Sequence, residues 1–115
     1  MTGDSGYPKT ARLRRRREFL AVQHNGRRRH TPHFVIIRTA RTGPSRLGVT
    51  VSARVGNAVA RNRVKRLVRE IYRNRRHELQ YSADIVVIAK TGADDLTYAQ
   101  AATELEPVLE LVPSR

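Results

Sequence analysis

Residues 55–76 read V-G-N-A-V-A-R-N-R-V-K-R-L-V-R-E-I-Y-R-N-R-R, and no other stretch restricts the fold or the function so tightly. Gly56 suits a sharp bend into a helix, and the side chain of Asn57 can accept a hydrogen bond from an N–H of the first turn. The helix therefore begins there. At ~100° per residue, Ala60, Val64, Leu67, Val68, Ile71 and Tyr72 fall on one apolar stripe, while Asn62, Arg66, Arg69 and Arg73 point the opposite way. Arg61, Lys65 and Arg76 run along one flank, and Arg63 lies on the other.

An amphipathic helix is ordinarily a core element with a solvated face on which both charge signs alternate. Between Asn57 and Arg76 the only acid is Glu70. About eight like charges on ~30 Å of helix repel one another, and an anionic polymer relieves that repulsion as counterions leave its phosphates. Nucleic acid is the natural partner.

Composition supports this. The chain has 115 residues, 39% of them hydrophobic, enough for one domain with one core. It has no cysteine, so disulfides and thiolate zinc sites are excluded and a reducing compartment is tolerated. No apolar run approaches the ~20 residues of a membrane span, and the N-terminus lacks a signal-peptide core, so the expected location is cytoplasmic and no membrane partner is expected. The net charge is +13, from 23 basic and 10 acidic residues. Of the basic residues 20 are arginine, whose planar forks bind phosphate oxygens in pairs.

Residues 1–11 are polar and aperiodic, and are read as a disordered lead-in to a domain at 12–112, with a tail at 113–115. A basic helix is expected over 12–25, turning Leu13, Phe19, Leu20 and Val22 toward a core, wrapping Arg14, Arg15, Arg16 and Arg17 around its first turns, and stopping at Gly26. Those four arginines are additional candidate basic contacts to nucleic acid. The run R-R-R-H at 27–30 is either a charged connector or a short edge strand. Residues 33–40 form a strand by their β-branched content, and R-T-G-P-S-R at 41–46 is a turn. In residues 47–53 Leu47, Val49 and Val51 alternate with Gly48, Thr50 and Ser52, giving one apolar face and one small polar face able to admit an extended ligand. Residues 81–90 are apolar enough to lie inside the sheet. A last amphipathic helix is expected over 96–111, with Asp94 and Asp95 at its start and Pro107 near its end. The order α-(β)-β-β-α-β-α describes an α+β fold, a single two-layer α/β sandwich.

Catalytic groups are missing. His24, His30, His33 and His77 stand in no metal-ligand or triad spacing, and neither phosphate-binding glycine loop is present. The chain alone is expected to hold no catalytic residue, no metal and no cofactor.

At Arg61-Asn62-Arg63, entered through G-N-A-V and followed by V-K-R-L-V-R-E, the sequence closely resembles the bacterial ribonuclease P protein subunit. The resemblance runs over residues 12–112. It takes in the Glu18-Phe19 pair, the F-V strand, the R-L-G-V-T-V-S and I-V-V-I-A-K strands, and the L-T-Y-A-Q opening of the last helix. It implies a ribonucleoprotein endonuclease in which a catalytic RNA with bound Mg2+ cuts the 5′ leader from precursor tRNA, assisted by the protein. By resemblance, Arg61, Asn62, Arg63, Lys65, Arg66 and Arg69 contact the catalytic RNA. Phe19, Thr50, Ser52 and Arg54 line a cleft for the single-stranded leader. A left-handed crossover around the central helix is also implied, against the usual hand. The chain departs from the family at Gln23, where a second aromatic is frequent, at Ile37, often Tyr, and at Ala53, often Lys. Stacking is worth ~1–3 kcal/mol per base, so the departures imply a leader contact that is either weaker or more reliant on charge.

Two rival readings remain. A structural RNA-binding protein of the ribosome would share the charge but not the R-N-R context. A protein-only nuclease would need Asp84, Asp94 and Asp95 in one metal site.

Overall fold

The structure, a computed structural model, describes residues 12–109. The expected lead-in at 1–11 and tail at 113–115 lie outside the described residues, as do the last positions of the expected domain. The elements are α1 (Arg16–Asn25), β1 (Arg27–His30), β2 (Phe34–Ala40), β3 (Arg46–Val51), α2 (Ala58–Arg75), β4 (Ala83–Ala89) and α3 (Tyr98–Leu105). One four-stranded sheet runs β1-β2-β4-β3. β2 is antiparallel to β1 and β4, whereas β3 and β4 are parallel and joined through α2, so the chain is α+β with a βαβ unit at its centre.

Sheet alternation divides the apolar residues between two faces. Phe34, Ile36, Leu47, Val49, Ile85 and Val87 pack against Val64, Val68, Ile71 and Tyr72 of α2 and Leu105 of α3. On the opposite face Val35, Ile37 and Val86 are covered by Leu13 and Val22, with Phe19 beside them. The expected apolar stripe of α2 is buried at Val64, Val68, Ile71 and Tyr72, and Asn57 caps the helix by accepting from the Ala60 N–H at 2.9 Å. β4 lies inside the sheet, as its composition requires.

Two expectations are corrected and one open choice is resolved. The first helix begins at Arg16 rather than Arg12. Residues before it run extended along the β3 edge, where Arg12 bridges Leu47 and the Leu13 N–H donates to the Leu47 carbonyl at 2.8 Å. The reason is Glu18, whose Oε1 accepts from the Arg14 and Arg15 N–H groups and sets the helix start behind them. Consequently Arg14 and Arg15 precede the helix, and Leu20 is 48% exposed rather than in the core. The last helix is shorter than expected. It is capped by Thr97, whose hydroxyl accepts from the Gln100 N–H while Gln100 reaches back to the Thr97 N–H, and Asp94 and Asp95 belong to a separate single turn. The chain tightens to a 3-10 turn at Glu106–Val108, where Pro107 has no N–H for a longer helix. Finally, R-R-R-H resolves as the edge strand β1. Gly26 ends α1 with extended backbone, and glycine is needed for space: a β-carbon there would lie 2.5 Å from Ile37 Cγ2 and 2.6 Å from the Val22 oxygen.

Candidate nucleic-acid interface

Because α2 turns its apolar stripe to the sheet, Asn62 and Arg66 face solvent and Lys65 and Arg69 are half-buried at the margins. Asn62, Arg66, Arg69, Glu70 and Arg73 line a hollow of about 340 Å3, closed on its far side by Arg12 from the extended segment before α1. Glu70 forms an ion pair with Arg73, so the one acid among the described residues of the hollow is compensated within it. Arg61 is partly engaged, since Nη1 donates to the Gly56 carbonyl at 3.0 Å.

Arg63 differs from its neighbours. Its Nη1 donates to the Asp94 carbonyl at 2.6 Å and its Nη2 to the Leu96 carbonyl at 3.0 Å. Two of the donors of this exposed side chain thus reach the turn before α3. The helical wheel placed Arg63 on a flank, but acceptors more than thirty positions along the chain leave no trace in periodicity.

The second group gathers at the other end of β3. Phe19 projects from α1 onto Gly48, where a β-carbon would lie 2.5 Å from ring atoms Cε2 and Cζ. Thr50 follows on the same sheet face, beside Ile88 and then Val35 by register. Ser52 and Arg54 are exposed in the turn leading to Asn57, and the Ser52 hydroxyl accepts from the Arg54 N–H at 3.3 Å. The structure thus brings Phe19 and Thr50 together on one face and puts Ser52 and Arg54 between that face and the start of α2. Arg14, Arg15, Arg16 and Arg17 are exposed around the start of α1. Gln23 is half-buried, with its carbonyl accepting from Arg28 Nη2 at 3.3 Å, and Ile37 is fully buried beneath α1. Neither position offers a ring.

A clamp that sequence reasoning missed holds α1 in place. Arg46 donates Nε and Nη2 to the two Asp84 oxygens at 2.9 and 2.8 Å, and Nη1 to Glu18 Oε2 at 3.1 Å. The hydrogen bonds from the Arg14 and Arg15 N–H groups, and then the Arg46 charge, hold the Glu18 carboxyl below the usual range. Hydrogen bonding to Asp84 raises the Arg46 guanidinium in turn. A second such residue is Glu104 of α3, which accepts from the Thr31 hydroxyl at 2.7 Å, the His33 N–H at 2.9 Å and His33 Nδ1 at 2.6 Å. Burial pushes its carboxyl up, but the His33 and Thr31 donors outweigh burial and leave it lowered. Their only sequence signal was the scarcity of acids in so basic a chain.

The nuclease reading fares poorly. Asp84 sits at the start of β4 in the Arg46 ion pair, while Asp94 and Asp95 follow its far end, a strand length of roughly 20 Å away. Among the described residues no group of three or more His, Cys, Asp or Glu could hold a metal ion. No described helix is long and apolar enough to cross a membrane.

The family profile described as Ribonuclease P matches residues 7–112. The Ribonuclease P protein component of Desulfovibrio desulfuricans is 50% identical over 107 residues, covering 89% of this chain and 82% of the relative. That of Geobacter sp. strain M21 is 46% identical over 102 residues, covering 88% of this chain and 87% of its own. Among solved structures, the Staphylococcus aureus RNase P protein superposes with a TM-score of 0.80 at 33% identity, covering 88% of this chain and 94% of that one. The Thermotoga maritima RNase P protein, in complex with 1-(4-fluorophenyl)-2-thiourea, gives 0.79 at 31% identity, covering 89% and 100%.

Proposed function

The chain belongs to the ribonuclease P protein family, and from that premise we propose that it is the protein subunit of a cytoplasmic ribonucleoprotein that removes the 5′ leader from precursor tRNA. Catalysis lies in the RNA subunit, with Mg2+ supplying the Lewis acid and the activated water. The protein binds, orients and neutralises.

Asn62, Arg66 and Arg69 present outward donors to the phosphates of the catalytic RNA, with Arg61 and Lys65 adding charge along the flank. Arg63 supports this face from behind by tying α2 to the turn ahead of α3. Phe19 and Thr50 receive the single-stranded leader on the sheet face, and Ser52 and Arg54 carry it toward α2. Since residues 52–57 connect the two sets directly, an RNA bound at α2 and a leader bound on β3 are held in one frame, and that positioning lowers the entropic barrier to cleavage. The exposed Arg14, Arg15, Arg16 and Arg17 extend the positive field toward the substrate.

The observation that carries this reading is the acid-compensated, arginine-lined hollow on the outward face of the R-N-R helix. The purified protein alone should not cleave precursor tRNA, and adding the catalytic RNA with Mg2+ should produce leader removal. Leader-removing activity by the protein alone that survives nuclease treatment of the preparation would overturn it.

A further inference from the structure

Tyr81 is 59% exposed, a large ring in solvent just ahead of β4. It forms part of the wall of two adjoining hollows. One, of about 470 Å3, is lined by Arg27, Arg28 and Arg29 of β1 together with Tyr81 and Ser82. The other, of about 260 Å3, is lined by Arg76 and His77 at the end of α2 together with the same Tyr81 and Ser82. Among the described residues no acidic side chain lines either one.

Charge on an edge strand has an ordinary purpose, which is to discourage pairing with another sheet. That purpose accounts for arginines on β1. It does not account for an exposed aromatic ring beside them, nor for a second basic hollow on the far side of that ring. Arg28 is held by the Gln23 carbonyl, which leaves Arg27 and Arg29 as the donors that matter here. The β1 hollow is separate from the Phe19 and Thr50 face of β3, because β1 and β3 are opposite edges of the sheet, three strand spacings or ~14 Å apart.

We propose that this edge is a second RNA-binding site, at which one base of a single-stranded segment stacks on Tyr81 while its flanking phosphates lie against Arg27 and Arg29 in one hollow and Arg76 in the other. An aromatic platform flanked by cations suits a single strand and does not suit a duplex, whose bases are already stacked. The proposal rests on the function proposed above for the identity of the RNA, which is a segment of either the catalytic RNA or the precursor tRNA.

Three variants test it: Tyr81→Ala, Tyr81→Phe and the double change Arg27→Ala with Arg29→Ala. Each is titrated against the catalytic RNA, and the assembled holoenzyme at saturating protein is then titrated against precursor and mature tRNA. Tyr81→Ala should weaken one titration about fivefold or more, Tyr81→Phe should match wild type because the ring is kept, and the double change should reduce the salt slope of that titration by about 1.4, the value for two phosphates of a single strand. A loss in the first titration assigns the strand to the catalytic RNA, and a loss in the second assigns it to tRNA. All of these side chains are exposed, so melting temperatures should stay close to wild type; if Tyr81→Ala fails to fold, Tyr81→Phe and the arginine pair carry the test. Wild-type affinity in both titrations for Tyr81→Ala and the arginine pair would overturn this proposal alone, and so would equal losses in Tyr81→Ala and Tyr81→Phe. Failure of the wild-type protein to bind either RNA would overturn the proposed function as well.

Discussion

Arg63 donates Nη1 to the main-chain oxygen of Asp94 at 2.6 Å, which makes it a strut between α2 and the connection to α3. Arg66, three positions on, faces solvent in the hollow beside Asn62 and Arg69. The two arginines should therefore fail differently. Arg63→Ala should lower stability by ~1–2 kcal/mol, several degrees of melting temperature, because two charged hydrogen bonds to backbone are lost at a partly solvated site. Arg66→Ala should melt like wild type and bind the catalytic RNA ~10–100-fold more weakly, as expected for one forked phosphate contact. Thermal melts and an RNA titration on both variants separate the roles, and equal melting temperatures would show the strut to be inert.

That contrast marks what could be read ahead of the structure. The α2 stripe, its Asn57 cap and the interior position of β4 were legible, because each follows from the period of apolar residues or from one adjacent polar group. Periodicity says which way a polar side chain points but not what distant group it meets. Arg63 on Asp94, Arg46 on Glu18 and Asp84, and Glu104 on His33 all join residues far apart in the chain, so none was legible. β1 was undecidable for another reason: all four of its residues are exposed, so no alternation of apolar and polar marks a strand. For the candidate site, membership of the two residue groups came from resemblance, while the contact between the ring of Phe19 and Gly48 came only from the structure.

Gly48 leaves no room for a side chain. A β-carbon would lie 2.5 Å from the Phe19 ring and 3.1 Å from Leu13 Cβ, so Gly48→Ala must displace the ring or the extended segment before α1. Such overpacking should destabilise the protein by ~1–3 kcal/mol, measurable by chemical denaturation. A stability within error of wild type would mean that α1 rides freely over β3.

Acid should weaken the fold through two carboxylates. Glu18 and Glu104 are both lowered from their ordinary 4.5 in the folded chain, so the unfolded chain binds more protons over that range. Their contribution is complete above about pH 4.5 and lost as pH falls through the lowered values. Glu104→Gln should therefore be less stable than wild type at neutral pH, with the gap narrowing on acidification below that point. Denaturation midpoints across a pH series measure it, and a gap that stays constant to strong acid would refute the linkage.

RNA binding should be strongly salt-dependent. If about six phosphates are neutralised by the arginines around α2 and α1, affinity for the catalytic RNA falls roughly a thousandfold between ~50 and ~200 mM salt. Filter binding over that range reads the slope directly. A flat profile would exclude these surfaces as the contact.

The leader cleft and the α2 face can be told apart by substrate. Phe19 is half-buried against Gly48, so Phe19→Ala would remove packing along with any stacking surface, whereas Phe19→Leu keeps most of the volume and loses the ring. Arg54 is exposed in the turn after β3, and Arg54→Ala should leave the fold untouched. If the cleft holds the leader, both Phe19→Leu and Arg54→Ala should assemble with the catalytic RNA at near wild-type affinity. Each should then bind precursor tRNA several-fold to about a hundredfold more weakly, the range of one stacking or forked phosphate contact. Mature tRNA, which has no leader, should bind them as it binds wild type. Arg66→Ala should show the opposite pattern, weakening assembly whichever substrate is later supplied. The comparison needs only titration against catalytic RNA, followed by tRNA affinity at saturating protein with and without a leader. Because Gln23 and Ile37 supply no second ring, the Arg54 change should cost at least as much as the Phe19 change. Equal losses for both tRNA forms in the Phe19 and Arg54 variants would place the leader elsewhere and leave β3 with a purely structural role.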